Sequence, residues 1–69
     1  MDELDLHNVR HKKAEKLVHS FLYSCDLPAK VITGNSLRMQ NIVKEVAKKY
    51  NLKVTESTYW NLGALIITD

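Results

Sequence analysis

The spacing of hydrophobic residues changes along the chain, and each change predicts a new strand or helix. Leu4–His7 alternates apolar and polar residues, which predicts a short half-buried strand with its leucines toward the core and Asp5 and His7 on the other face. From about His11 the spacing becomes helical, with one apolar stripe formed by Ala14, Leu17, Val18, Phe21 and Leu22. His19 lies off this stripe, so we expect it in solvent.

A second strand and the most regular helix follow. Ala29–Thr33 reads as the strand, and the helical spacing then runs through Met39, Ile42, Val43, Val46, Ala47 and Tyr50. Between them, Gly34 allows a positive φ and Ser36 is a good N-cap. Asn51 is a suitable end for this helix, because asparagine tolerates the left-handed conformation.

Two further strands close the pattern. Lys53–Thr58 alternates and contains valine and threonine, Tyr59–Asn61 forms a turn, and Leu62–Thr68 is the fourth strand. Ala64–Ile67 is apolar on both faces, and an exposed edge strand would not have that composition. The fourth strand is therefore predicted to lie inside the sheet.

The predicted fold is α/β, an α+β two-layer sandwich in the order β-α-β-α-β-β. Right-handed crossovers place both helices on one face of a four-stranded mixed sheet, and an interior fourth strand gives the strand order 1-2-4-3. The chain has 69 residues, so residues 1–69 form a single domain.

Composition limits the cellular compartment and the kinds of partner that we expect. One cysteine, Cys25, excludes an internal disulfide and favours a reducing compartment, so we expect a cytoplasmic protein. No apolar run approaches the roughly 20 residues of a membrane span, and no signal-peptide pattern opens the chain. The net charge is only +2, so the placement of charges matters more than their sum. We expect a monomer with no membrane partner.

The predicted topology brings His7, the Thr33–Ser36 loop and the Tyr59–Asn61 turn to the carboxyl edge of the parallel strands, where α/β sheets bind ligands. Basic residues crowd both helix starts at this edge, although the helix dipole disfavours cations there. An anion such as a polyphosphate or a nucleic-acid backbone would explain them. The candidate phosphate-binding residues are Arg10, Lys12, Lys13, Thr33, Gly34, Asn35, Ser36, Arg38 and Trp60. The indole of Trp60 would either stack on a base or cover the end of the hairpin.

The motifs of this edge resemble a known family. Leu4–His7 followed by Ala14 is similar to the Leu-Asp-Leu-His-Gly opening of the Smr (small MutS-related) domain. Ile32-Thr33-Gly34 resembles its Thr/His-Gly-x-Gly loop, and Gly63 before an apolar strand resembles its closing segment. Two residues depart from the pattern, since Asn8 and Ser36 replace glycines. The same fold resembles the C-terminal domain of bacterial initiation factor 3.

The resemblance implies binding of RNA or DNA and an endonuclease activity that cleaves RNA or nicks DNA. His7 is the candidate general acid or base, and Asp5 would orient it or raise its pKa. The alternative is a non-catalytic module that binds RNA, DNA or the ribosome, because one histidine without a clear second acid is a small catalytic set. No metal site is indicated by ligand spacing, although a hydrated Mg²⁺ held mainly by substrate stays open.

Overall fold

The computed structural model describes residues 2–56 and 63–69, and these form four strands and two helices in the predicted order. The elements are β1 (Asp2–Asp5), α1 (His11–Ser24), β2 (Ala29–Ile32), α2 (Leu37–Lys49), β3 (Lys53–Glu56) and β4 (Ala64–Thr68). The predicted end of the third strand at Thr58, the turn at Tyr59–Asn61 with Trp60, and Leu62 lie outside the described residues.

The strands pair in the order β1-β2-β4-β3, as the sequence predicts. β1 runs parallel to β2, and β4 is antiparallel to both β2 and β3. β4 is therefore an interior strand, and Ala64, Leu65 and Ile67 are fully buried. The interior position of β4 is the one that its doubly apolar composition predicts.

The two helices pack together on one face of the sheet and form the core with it. Each helix contributes a buried stripe, and the sheet contributes its inward-facing side chains from β2 and β4. The fully buried members include Ala14, Val18, Val31, Val43, Ala47, Leu65 and Ile67. Neither helix has the length or the apolar character that crossing a membrane requires, and the described residues contain no other helix.

The first strand differs from its prediction in position. β1 begins at Asp2 and ends at Asp5, so His7 lies beyond the strand and not at its last position. The chain turns there, because the Leu6 carbonyl accepts a hydrogen bond from the Val9 N–H at 3.0 Å. Asn8 occupies this turn with φ 65°, a conformation that asparagine adopts more readily than most residues. Leu6 is nevertheless buried in the core, as predicted.

His19 is also placed differently from its prediction. Its ring is half-buried against the end of α2, with Nδ1 3.2 Å from the Tyr50 hydroxyl oxygen and an edge-on ring contact. The apolar stripe of α1 did not reveal this position, because the contact depends on how the second helix ends. The Tyr50 hydroxyl donates to the His19 carbonyl at 3.4 Å, so the pair links the two helices far from their starts.

Candidate functional site

The starts of the two helices come together at the carboxyl ends of β1 and β2. The Leu6 N–H donates to the Ile32 carbonyl at 2.8 Å, which holds these two strand ends side by side. Beyond them, Nε2 of His11 in the first turn of α1 lies 3.4 Å from Oγ of Ser36. The predicted convergence of both helix N-termini at this edge is therefore confirmed.

The start of α2 is capped by a side chain. Ser36 occupies the N-cap, and its hydroxyl oxygen accepts a hydrogen bond from the Met39 N–H at 3.1 Å. Arg38 is exposed in the first turn, which contains no acidic residue. The cap satisfies one backbone donor, but the first turn still contains a basic residue, Arg38, which the positive end of the helix dipole disfavours.

The start of α1 has no such cap. Arg10 occupies the N-cap position without a side-chain hydrogen bond, and the first turn again holds no acidic residue. His11, Lys12 and Lys13 follow directly, so four basic or titratable residues lie at the positive end of this dipole. We call Arg10, His11, Lys12, Lys13 and Arg38 the cationic edge. A cation near a helix N-terminus costs about 0.3–1 kcal/mol of stability, and a bound anion reverses the sign of that interaction.

A groove opens between the helices at the cationic edge. It encloses about 490 Å³ and is lined by His11, Lys12, Glu15, Arg38 and Ile42. Three of these residues belong to the cationic edge, Glu15 is the acidic member, and Ile42 supplies an apolar wall. The sequence predicts His11 among the basic residues that crowd the start of the first helix, but Glu15 is not predicted at the site, although its spacing of four residues from His11 places the two on the same face of one helix.

The Thr33–Gly34 loop is held by the residue before β4. The N–H groups of Thr33 and Gly34 both donate to the Gly63 carbonyl, at 2.6 and 3.0 Å. The buried Thr33 hydroxyl lies 2.9 Å from the Gly34 carbonyl and 3.1 Å from the Gly63 carbonyl. These two N–H groups are already paired, so they are not free for the phosphate that the sequence analysis assigned to them.

Glycine is needed on both sides of this contact for different reasons. Gly34 has φ 66°, which a side chain would strain. A Cβ on Gly63 would lie 3.0 Å from the Gly34 Cα, a backbone atom that cannot easily move aside. The loop is thus a support for the start of α2. Of its predicted phosphate-binding residues, only Asn35 is exposed, since Ser36 is half-buried at the cap.

Asp5 and His7 interact through the backbone. The Asp5 carboxylate accepts a hydrogen bond from the His7 N–H at 2.8 Å, which stabilises the turn after β1. This contact does not reach the imidazole, so it supports a structural role for Asp5 beside the predicted orienting role. The His7 side chain is exposed at the same edge as the groove, although it does not line it.

The remaining nucleophilic and metal-binding side chains lie elsewhere. Cys25 follows α1 at the opposite end of the sheet, and burial, together with the carboxylates of Asp2 and Asp26, raises the pKa of its thiol. Such a thiol stays protonated at neutral pH and is a poor nucleophile. Within residues 2–56 and 63–69, no three side chains of histidine, cysteine, aspartate or glutamate form a group that could hold a metal ion.

In comparisons with known proteins, no family model, no curated protein and no solved structure matched this chain. The chemistry of the site is therefore inferred from its own residues.

Proposed function

We propose that this protein binds the phosphate backbone of RNA or DNA at the cationic edge. The observation that carries the proposal is the meeting of two helix starts at the His11–Ser36 contact, where basic residues collect and neither first turn holds an acid. A phosphodiester supplies the negative charge that both dipoles and the basic side chains favour. We expect the phosphodiester to lie in the groove between the helices.

The resemblance to the Smr domain supports the same proposal. Its opening motif covers β1 and the following turn, and Asn8 takes a positive φ at the place where the family has glycine. The replacement of that glycine by Asn8 is thus compatible with the turn that follows the motif. We propose an intracellular protein whose partners are RNA or DNA, with ribosomal RNA among the candidates.

Endonuclease activity is the second candidate function. It is favoured by two histidines at this edge, His7 exposed after β1 and His11 in the groove beside Lys12 and Arg38. Cleavage of a phosphodiester needs a base to remove a proton from the attacking oxygen and an acid to protonate the leaving oxygen. His7 is proposed for one of these proton transfers, and the basic side chains would stabilise charge on the phosphoryl oxygens.

The experiment that tests both functions is incubation of the purified protein with end-labelled RNA and DNA, with binding and cleavage scored separately. Binding is measured by anisotropy at several salt concentrations, and cleavage is followed on denaturing gels with and without Mg²⁺. Salt-sensitive binding with cut products supports the nuclease. Salt-sensitive binding without cut products supports the binding module, and absence of binding to both nucleic acids contradicts the proposal.

A further inference from the structure

A second basic groove lies on the outer side of α1. It encloses about 360 Å³ and is lined by Arg10, Lys12, Lys13 and Lys16. All four side chains are exposed, and the lining contains no acidic residue. Lys16 belongs to the second turn of the helix, so its charge is not part of the helix-start arrangement described above.

The second groove shares a lining residue with the first. Lys12 lines both the groove between the helices and the groove on α1. Lys12 and Lys16 are one helical turn apart, which makes their side chains neighbours, with about 5–6 Å between the Cβ atoms. Lys12 therefore connects the first groove, where Arg38 lies and Glu15 is the acidic member, with the second groove, where Lys16 lies.

Helix stability does not account for the lysines that line the second groove. Like charges four residues apart destabilise a helix, and Lys12 and Lys16 are such a pair. α2 has a like-charge pair at the same spacing, Lys44 and Lys48, but Lys48 lies in the last turn, where the negative end of the dipole favours a cation. Lys12 lies instead in the first turn of α1, where the dipole disfavours it. A row of lysines without an acidic neighbour in its groove complements a polyanion whose charges repeat along a line.

We propose that a nucleic-acid strand bound between the helices continues over the outer side of α1, where Lys16 holds a further phosphate. The inference rests on the proposed function and deepens it. It assigns the path of the nucleic-acid strand over the protein and adds a contact between Lys16 and a phosphate. The contact is to phosphate, so it is independent of base sequence.

The test compares Lys16→Ala with Lys44→Ala. Each variant loses one exposed lysine from a helix, but Lys44 lines neither groove. Alanine is the best helix former, so both variants should keep their helices, and circular dichroism checks this. The probe is a fluorescein-labelled single-stranded oligonucleotide of mixed sequence, about 16 nucleotides long, the upper range of common single-strand site sizes. Affinity is measured by anisotropy over a series of salt concentrations.

For Lys16→Ala we expect weaker binding, with the slope of log affinity against log salt reduced by about 0.7, the change for one phosphate contact on a single strand. Lys44→Ala should keep the wild-type slope, and Lys16→Arg should restore it. Equal slopes in Lys16→Ala and wild type would overturn the inference while leaving the proposed function standing. Absence of binding by the wild type itself would overturn both.

Discussion

The start of α1 and the end of α2 carry similar positive charge for opposite physical reasons. Lys48 and Lys49 lie in the last turn of α2, where the negative end of the dipole stabilises cations, and Lys49 also follows Glu45 at the favourable spacing. Arg10, Lys12 and its neighbours lie at the positive end of α1, with no acidic residue in the first turn. Stability thus explains the lysines at the end of α2 and opposes the basic residues at the start of α1.

The unfavourable interaction between these cations and the dipole of α1 is large relative to the stability of so small a domain. A chain of 69 residues is expected to have a free energy of unfolding of roughly 3–10 kcal/mol. Each cation at a helix start removes about 0.3–1 kcal/mol, so several together take a considerable part of that stability. Proteins commonly accept such losses at sites where function requires them. The difference between the two helix ends is the reason why we propose the start of α1, and not the end of α2, as the surface for an anionic partner.

The largest expected effect separates chemistry from binding at the cationic edge. If the protein cleaves nucleic acid, His7→Ala should lower the cleavage rate by about 10²–10⁴, the usual contribution of a general acid or base. Affinity should stay near the wild-type value, because the side chains that bind phosphate remain. Asp5→Asn should cost less. Thermal melting of each variant controls for unfolding, and cleavage that persists in well-folded His7→Ala would contradict this role.

The next effect compares two pairs of basic residues directly. Changing Lys12 and Arg38 together to alanine should weaken binding about tenfold or more and lower the salt slope by about two, equally for all sequences. Changing Lys44 and Lys48 together should have less than a twofold effect, although the net charge falls equally. Anisotropy titrations measure both. Equal weakening by the two double variants would show that binding depends on total charge and not on the cationic edge.

The contact between Gly34 and Gly63, which supports the start of α2, can be disrupted without changing a charged residue. Gly63→Ala should lower the free energy of unfolding by about 1–3 kcal/mol, because its Cβ would force the Gly34 backbone to move. Gly34→Ala should cost about 1 kcal/mol through its positive φ, and Gly34→Asn should cost less. Urea unfolding gives these values. A Gly63→Ala protein as stable as wild type would contradict the close contact of the two glycines.

The smallest expected effects concern helix stability itself. Lys13→Glu places an acid in the third position of α1, where the dipole and a capping arrangement favour it, and should stabilise the protein by about 0.3–1 kcal/mol. Lys49→Glu makes the same change of net charge at the negative end of α2 and should destabilise by a similar amount. Paired thermal or urea unfolding curves measure the difference. Destabilisation by both variants would contradict the claim that the helix dipole determines the sign of these effects.

The topology could be predicted from the sequence because its signals are local and redundant. The apolar stripes of both helices and the doubly apolar β4 are sufficient to place β4 inside the sheet. The Ser36 cap and the αL residue Asn51, with φ 57°, follow from the chemistry of single side chains.

The parts of the site that could not be predicted depend on contacts between distant segments. No local pattern says that the Gly63 carbonyl takes the N–H groups of Thr33 and Gly34, because the partners are about thirty residues apart. The same holds for the contact of His11 with Ser36, because the two residues belong to different helix starts that are 25 residues apart in the chain. The shift of β1 has a local cause, the Asp5 carboxylate, but alternation alone does not reveal it.

The most direct test of the central claim is the affinity of Lys13→Glu for labelled RNA and DNA, with Lys49→Glu as the control of equal net charge. The account predicts that Lys13→Glu binds clearly more weakly than Lys49→Glu, although it is the more stable of the two proteins. Equal affinities of the two variants would contradict the claim that the basic residues at the start of α1 are there to bind phosphate.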